Sequence, residues 1–114
     1  MKAFKRLNII MADDPKAVAD TIIRQLGGFG KLKAMIAANK FFYNKEPGEY
    51  YTLSFEFKGN PKFKMCKIIY SKPKDLYTVQ FFGKNYLKNK EIEDVYNNQL
   101  KDVFEKTTGL ALSL

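Results

Sequence analysis

The chain has 114 residues, a length typical of one domain that can bury a core without disulfides or structural metals. Its apolar fraction of 46% argues against intrinsic disorder, and no stretch reaches the ~20 apolar residues that a membrane-spanning helix needs. The formal net charge is +8, and residues 31–90 alone carry +9, from thirteen lysines and four carboxylates. A basic region of this kind indicates binding to a polyanion.

The type of basic residue indicates which kind of polyanion binding is expected. Eighteen of the twenty basic side chains are lysine, and only Arg6 and Arg24 are arginine. Arginine reads guanine edges and binds phosphate with two hydrogen bonds, so its scarcity argues against base-specific DNA recognition. The abundance of Lys, Asn, Phe, Tyr and Ile is also what an AT-rich genome encodes. Genome composition therefore remains an alternative explanation of the lysine excess.

The chain lacks the residues that several kinds of catalysis and metal binding need. The chain has no histidine, which removes the commonest general base and metal ligand. Its single cysteine, Cys66, can form neither an internal disulfide nor a structural zinc site, and it fits a reducing compartment. The glycine-rich stretch before Lys31 lacks the spacing of a phosphate-binding loop. We therefore predict that the protein is not an enzyme and holds no metal or cofactor.

The first helix is predicted over residues 15–26. Asp14 can cap its free N–H groups, Pro15 suits its first position, and Gly27 and Gly28 end it. Val18, Ile22 and Leu26 are spaced four residues apart and therefore form its apolar face. Residues 1–12 are predicted to be a flexible arm or a short strand.

Residues 31–42 fit two patterns. Leu32, Ala34 and Ile36 alternate with polar or flexible side chains, which favours a strand through Ala37. Leu32 and Ile36, together with Met35, also fit one face of a helix. We expect the strand and keep the helix as the alternative.

Three further strands follow at residues 50–57, 63–70 and 77–82, each with apolar residues at every second position. In the middle strand this alternation shifts by one residue at Met65 and Cys66, which predicts a β-bulge. The bulge would place Lys64 and Lys67 on the same face. Short connections between the strands indicate an antiparallel meander.

The last helix is predicted to begin near Ile92 and to end at Gly109, with an apolar face that includes Val103 and Phe104. The resulting fold is α+β in a single domain of residues 1–114: a helix, a three- to four-stranded antiparallel sheet, and a C-terminal helix packed on one sheet face. The apolar tail after Gly109 would add an edge strand, pack on the core or contact a partner.

The leading functional prediction is nucleic-acid binding without strong sequence preference, through a basic and aromatic sheet. The side chains predicted to contact phosphates or stack on bases are Lys31, Lys33, Lys64, Lys67, Lys72, Lys74, Tyr50 and Phe82. The alternative is a protein-binding module, such as a host-factor inhibitor or an assembly or replication component, with the tail residues Leu110, Leu112 and Leu114 as its contact. We expect no membrane partner and leave self-association open.

Two segments resemble a group of small, mostly uncharacterised bacteriophage and prophage proteins. The first is Q-L-G-G at residues 25–28, followed by A-M at residues 34–35. The second is V-Y-x-x-x-L-x-x-x-F from Val95 to Phe104, with T-G-L at residues 108–110. Residues 36–39 depart from the T-G-A-K of the group. The resemblance implies a phage accessory protein acting in the host-cell cytoplasm, and it implies no catalytic residues.

Overall fold

The first helix begins where the sequence predicts. A computed structural model of the protein describes residues 14–112, so the predicted N-terminal arm lies outside the described residues. Helix α1 spans Pro15–Gln25, and the Asp14 side chain accepts a hydrogen bond from the Lys16 N–H at 3.1 Å. Its apolar face is buried at Val18 and Ile22, as the i, i+4 spacing requires.

A second helix, α2, spans Phe29–Ile36, so the prediction of a strand through Ala37 is wrong and the helical alternative is correct. Gly27 and Gly28 take positive φ angles and turn the chain directly from α1 into α2. The helix buries Leu32 and Ile36, four residues apart, and ends at Ala37 in a left-handed conformation. Leu32 and Ile36 fit both a helical period and a period of two, but Ala34, which the strand alternation placed on the same face, is exposed.

Within residues 14–112 the sheet has five antiparallel strands, in the order β1-β2-β3-β4-β5. They span Asn39–Glu46, Tyr50–Glu56, Met65–Ser71, Leu76–Phe82 and Lys88–Val95. The α+β class and the antiparallel meander are confirmed, but the predicted three to four strands are too few. Strands β1 and β5 lie at the edges and are mostly exposed on both faces, so neither shows the alternation that identifies a half-buried strand.

The predicted bulge in β3 is absent from the structure. Residues Met65–Ser71 pair without interruption with β2 and with β4. The shift in apolar alternation arises because Phe63 is buried within the connection that precedes β3. Lys67 lies within β3, whereas Lys64 lies in the connection before it, so no bulge in β3 brings the two lysines to one face.

The C-terminal helix is shorter than predicted. Ile92 and Val95 belong to β5, and a 3₁₀ turn at Asn97–Gln99 precedes helix α3, which spans Leu100–Thr108 and ends at Gly109. The start was misplaced because Ile92 and Val95 are three apart, a spacing that also fits one face of a helix.

The helices cover one face of the sheet, as predicted. The ring of Phe104 on α3 lies 6.2, 5.2 and 6.0 Å from the rings of Phe55, Phe57 and Phe81. Helix α1 contacts β1 and β2. This face buries the residues of one parity in each central strand, and their rings and branched side chains form the core. We call the other side of the sheet the open face.

The segment after α3 packs on this core. Leu112 is completely buried, and its N–H donates to Glu105 Oε2 at 2.7 Å. Leu110 is partly buried and packs against the core. Of the alternatives for the tail, core packing therefore holds at Leu112, and a partner contact through the tail stays a prediction. Leu114 lies outside the described residues.

Candidate functional site

The lysines converge at one end of the sheet. This end, which we call the cleft end, is where Glu56, Met65, Phe82 and Lys88 lie side by side in register. A cleft of about 880 Å³ opens there. Among residues 14–112, its lining includes four lysines, one carboxylate and one exposed aromatic ring: Lys40, Lys58, Lys64, Lys84, Glu56 and Tyr86. We call it the basic cleft.

The connection between β2 and β3 forms one wall of the basic cleft. Asn60 organises it, because its Oδ1 accepts hydrogen bonds from the N–H groups of Lys62 and Phe63 at 2.7 and 2.8 Å. The Lys64 ammonium donates to the Asn60 carbonyl oxygen at 3.4 Å. This local hydrogen-bonding pattern turns the chain tightly and brings Lys58 and Lys64, at the two ends of the connection, to the same cleft.

The loop between β4 and β5 forms the opposite wall. It is closed by hydrogen bonds from Tyr86 N to the Gly83 carbonyl at 3.1 Å and from Gly83 N to the Leu87 carbonyl at 3.0 Å. A Cβ added at Gly83 would lie 3.0 Å from the Lys62 carbonyl oxygen. Glycine therefore permits the two walls to approach each other closely.

Glu56 is the one carboxylate among the described residues that line the cleft, and it has two partners. The Tyr86 hydroxyl donates to its Oε2 at 2.6 Å, and the Lys40 ammonium lies 3.6 Å from its Oε1. The hydrogen bond to Glu56 raises the pKa of Tyr86 above its ordinary value. Four lysines thus face one carboxylate, which leaves an excess of positive charge in the cleft.

A second hollow of about 510 Å³ is lined in part by residues 60–63 of the same connection. It is lined by Lys62, Lys90 and Lys106, and the Lys106 ammonium lies 3.2 Å from Asp102. The two hollows are lined by different residues of the β2–β3 connection: 58, 59 and 64 line the basic cleft, and 60–63 line the second hollow. Positive charge therefore continues from the basic cleft around the cleft end of the sheet.

The structure separates most of the predicted binding residues. Lys64 lines the basic cleft, and its N–H donates to the carbonyl of Phe82, whose ring is partly buried. Lys31 and Lys33 lie on α2. The remaining residues lie on the open face or toward the far end of the sheet, in the β3–β4 turn and at the start of β2: Lys67, Lys72, Lys74 and Tyr50.

The open face is not a basic surface. Lys67 is the one lysine on this face in the three central strands, β2 to β4, and its ammonium lies 3.8 Å from Glu46. At the β5 edge, Glu91 accepts hydrogen bonds from Lys88 at 2.9 Å and from Gln80 at 2.8 Å. The charge that the sequence concentrates in residues 31–90 lies mainly at strand ends and in connections.

Sequence reasoning missed Lys40, Lys84 and Tyr86 and treated Lys58 as a turn residue. These positions are far apart in the chain, and β1 and β5, which flank them, were not predicted as strands. One feature of the sequence could have indicated Lys84: the cluster of lysines and asparagines that follows Gly83 in residues 84–90. Only strand pairing brings that cluster next to Lys40 and Lys58.

Other kinds of site have little support in the described chain. Within residues 14–112 no three His, Cys, Asp or Glu side chains are grouped to hold a metal ion. Cys66 is completely buried, and burial raises the pKa of its thiol. None of the helices in these residues has the length and apolar character to cross a membrane.

Comparison with known proteins returns no relative. The chain matches no protein-family model, no curated protein and no solved structure.

Proposed function

We propose that the protein binds nucleic acid without strong sequence preference at the basic cleft. The observation that carries the proposal is the convergence of Lys40, Lys58, Lys64 and Lys84 from three separate segments on one cleft. The carboxylate lining it, Glu56, already has partners. The lining holds four ammonium groups and one carboxylate, which is paired with Lys40, so a phosphate chain would meet a net positive charge there.

Lysine chemistry accounts for the lack of sequence preference. Each ammonium is a flexible point charge that attracts phosphate without reading the edge of a base. If each of the four lysines neutralises one phosphate, the logarithm of the binding constant should fall with the logarithm of salt concentration with a slope of roughly −3 to −4.

The test compares two double variants that remove the same charge at opposite ends of the sheet. Lys58→Gln with Lys84→Gln removes two ammonium groups from the cleft, and Lys72→Gln with Lys74→Gln removes two from the β3–β4 turn. Fluorescence anisotropy with labelled oligonucleotides should show at least ~10-fold weaker binding for the cleft variant, with a salt slope reduced by about 1.5 to 2. The turn variant should bind nearly as the wild type does.

Two results would overturn the proposal. One is that the wild type binds no oligonucleotide at low salt. The other is that both variants lose the same affinity, because net charge rather than the cleft would then govern binding. The turn variant also tests Lys72 and Lys74 as sequence-predicted contacts.

The biological setting is part of the same proposal. The two motifs that resemble phage and prophage proteins support an accessory role in a phage-infected cell. A sequence-independent nucleic-acid binder suits such a role, because it acts on any exposed strand. Expression during infection, followed by recovery of crosslinked nucleic acid, would test this setting.

A second candidate is a protein-binding module, and a different surface favours it. Phe42, 62% exposed, and its exposed neighbour Tyr43 lie on β1, an edge strand that pairs with β2 alone among the described strands. An unpaired edge with exposed aromatic rings suits strand pairing with a second copy. Sedimentation should then show a dimer that Tyr43→Lys dissociates. A wild type that stays monomeric at high concentration would oppose this candidate.

A further inference from the structure

Tyr86 combines exposure with a fixed position. Its side chain is 55% exposed at the basic cleft, yet its hydroxyl is held by Glu56 at 2.6 Å, thirty residues away in sequence. Tyrosine carries few rotatable bonds, so a ring anchored at its hydroxyl presents a face at little cost in conformational entropy.

The backbone that carries this ring is unusual. Asn85 and Tyr86 are consecutive residues with φ angles of 62° and 56°. Asparagine tolerates this left-handed conformation, whereas a bulky aromatic residue seldom adopts it. Strain of this kind concentrates at functional sites, where the surrounding structure holds it. Here the loop hydrogen bonds from Gly83 and Tyr86 hold it.

The size of the cleft limits what can meet the ring. A volume of about 880 Å³ is within the range of small-molecule pockets and accommodates one or two nucleotides. A base pair within a duplex keeps its faces stacked on its neighbours, so it has no free face for Tyr86. An unpaired base offers both faces, and aromatic side chains beside lysines are the usual platform for single strands.

We propose that the nucleic acid bound at the basic cleft is single-stranded and that Tyr86 stacks on one of its bases. This inference rests on the proposed function. The lysines around the cleft hold phosphates on either side of the stacked base, and Glu56 acts as a positioning residue that fixes the ring through its hydroxyl.

The experiment uses three labelled probes of equal phosphate number: an oligothymidylate, an abasic deoxyribose-phosphate strand, and a DNA hairpin duplex. The wild type should prefer the oligothymidylate to the other two. Tyr86→Ala should weaken oligothymidylate binding by about 5- to 50-fold and leave abasic-strand binding within about twofold. Tyr50→Ala, which removes an exposed ring near the far end of the sheet, is the matched control and should change neither.

Two conservative variants separate stacking from a structural role. The chain contains no tryptophan, so Tyr86→Trp introduces a single indole whose emission should be quenched by oligothymidylate and not by the abasic strand. Tyr86→Phe keeps the ring and loses the hydrogen bond to Glu56, and it should lose much less affinity than Tyr86→Ala.

The outcomes distinguish this inference from the proposed function. Equal affinity for oligothymidylate and abasic strand, with no effect of Tyr86→Ala, would overturn the stacking while lysine-dependent binding stands. Tighter binding of the duplex, without quenching of Tyr86→Trp, would also overturn it. Absence of binding to all three probes would overturn the proposed function itself.

Discussion

The side-chain amide of Asn60 donates a hydrogen bond to the carbonyl oxygen of Thr108 at 2.7 Å, joining the β2–β3 connection to the end of α3. Thr108 is buried, and its carbonyl is one of those that a helix leaves unsatisfied at its C-terminus. The same Asn60 side chain accepts the N–H groups of Lys62 and Phe63. One side chain therefore shapes the wall of the basic cleft and completes the C-terminal helix.

Asn60→Ala should destabilise the protein by about 2 kcal/mol, because three hydrogen bonds are lost and partly buried backbone groups keep no partner. Urea unfolding measures the change. The control is Asn98→Ala, an exposed asparagine in the 3₁₀ turn, whose effect should stay within about 0.5 kcal/mol. Equal effects of the two variants would show that the Asn60 hydrogen bonds contribute little.

Leu112→Ala should lower the free energy of unfolding by about 2–5 kcal/mol, because the leucine is completely buried and its removal leaves a cavity. Leu87→Ala, at an exposed leucine, should have little effect on stability. Chemical unfolding and sedimentation, measured together, show whether the tail packs on the core or contacts a partner. If Leu112→Ala instead dissociated an oligomer and left a monomer of unchanged stability, the tail would be a partner contact.

Cys66 should be a reporter of unfolding. Its side chain is completely buried in β3, and burial raises the pKa of the thiol, so the reactive thiolate is scarce in the folded state. Labelling with a disulfide reagent should be slow in buffer and rapid in denaturant. Fast, stoichiometric labelling of the native protein would mean that β3 opens far more readily than its burial implies.

Acid should weaken the β4–β5 edge. Hydrogen bonds from Lys88, and then from Gln80, lower the pKa of Glu91 to about 2 from its ordinary 4.5. Because the folded pKa is depressed, the contribution of Glu91 to stability is present above pH ~4.5 and is lost as the pH falls toward ~2. The stability difference between wild type and Glu91→Gln should shrink over that range. A carboxyl NMR titration with a midpoint near 4.5 would contradict the predicted shift.

The sequence predicted those elements whose burial has one simple period. The apolar stripe of α1 and the alternating strands β2 and β4 were predicted because one face of each is buried and the other is not, and the start of α1 was predicted from Asp14 and Pro15. The edge strands failed for the opposite reason. Strand β5 is mostly exposed on both faces, and the spacing of its two buried or half-buried residues, Ile92 and Val95, also fits a helix. The local sequence pattern of β5 therefore does not distinguish a strand from a helix.

The amino-acid sequence alone determined the α+β class, the antiparallel meander, the excess of lysine over arginine and the absence of histidine. The tertiary structure decided where the charge lies, because strand pairing joins Lys40, Lys58 and Lys84 across more than forty residues of chain. It also separated Lys64 from Lys67, because Lys64 lies in the connection before β3 and lines the basic cleft, whereas Lys67 lies within β3 beside Glu46. A charge count is additive along a chain, whereas a binding surface depends on long-range contacts that no local pattern encodes.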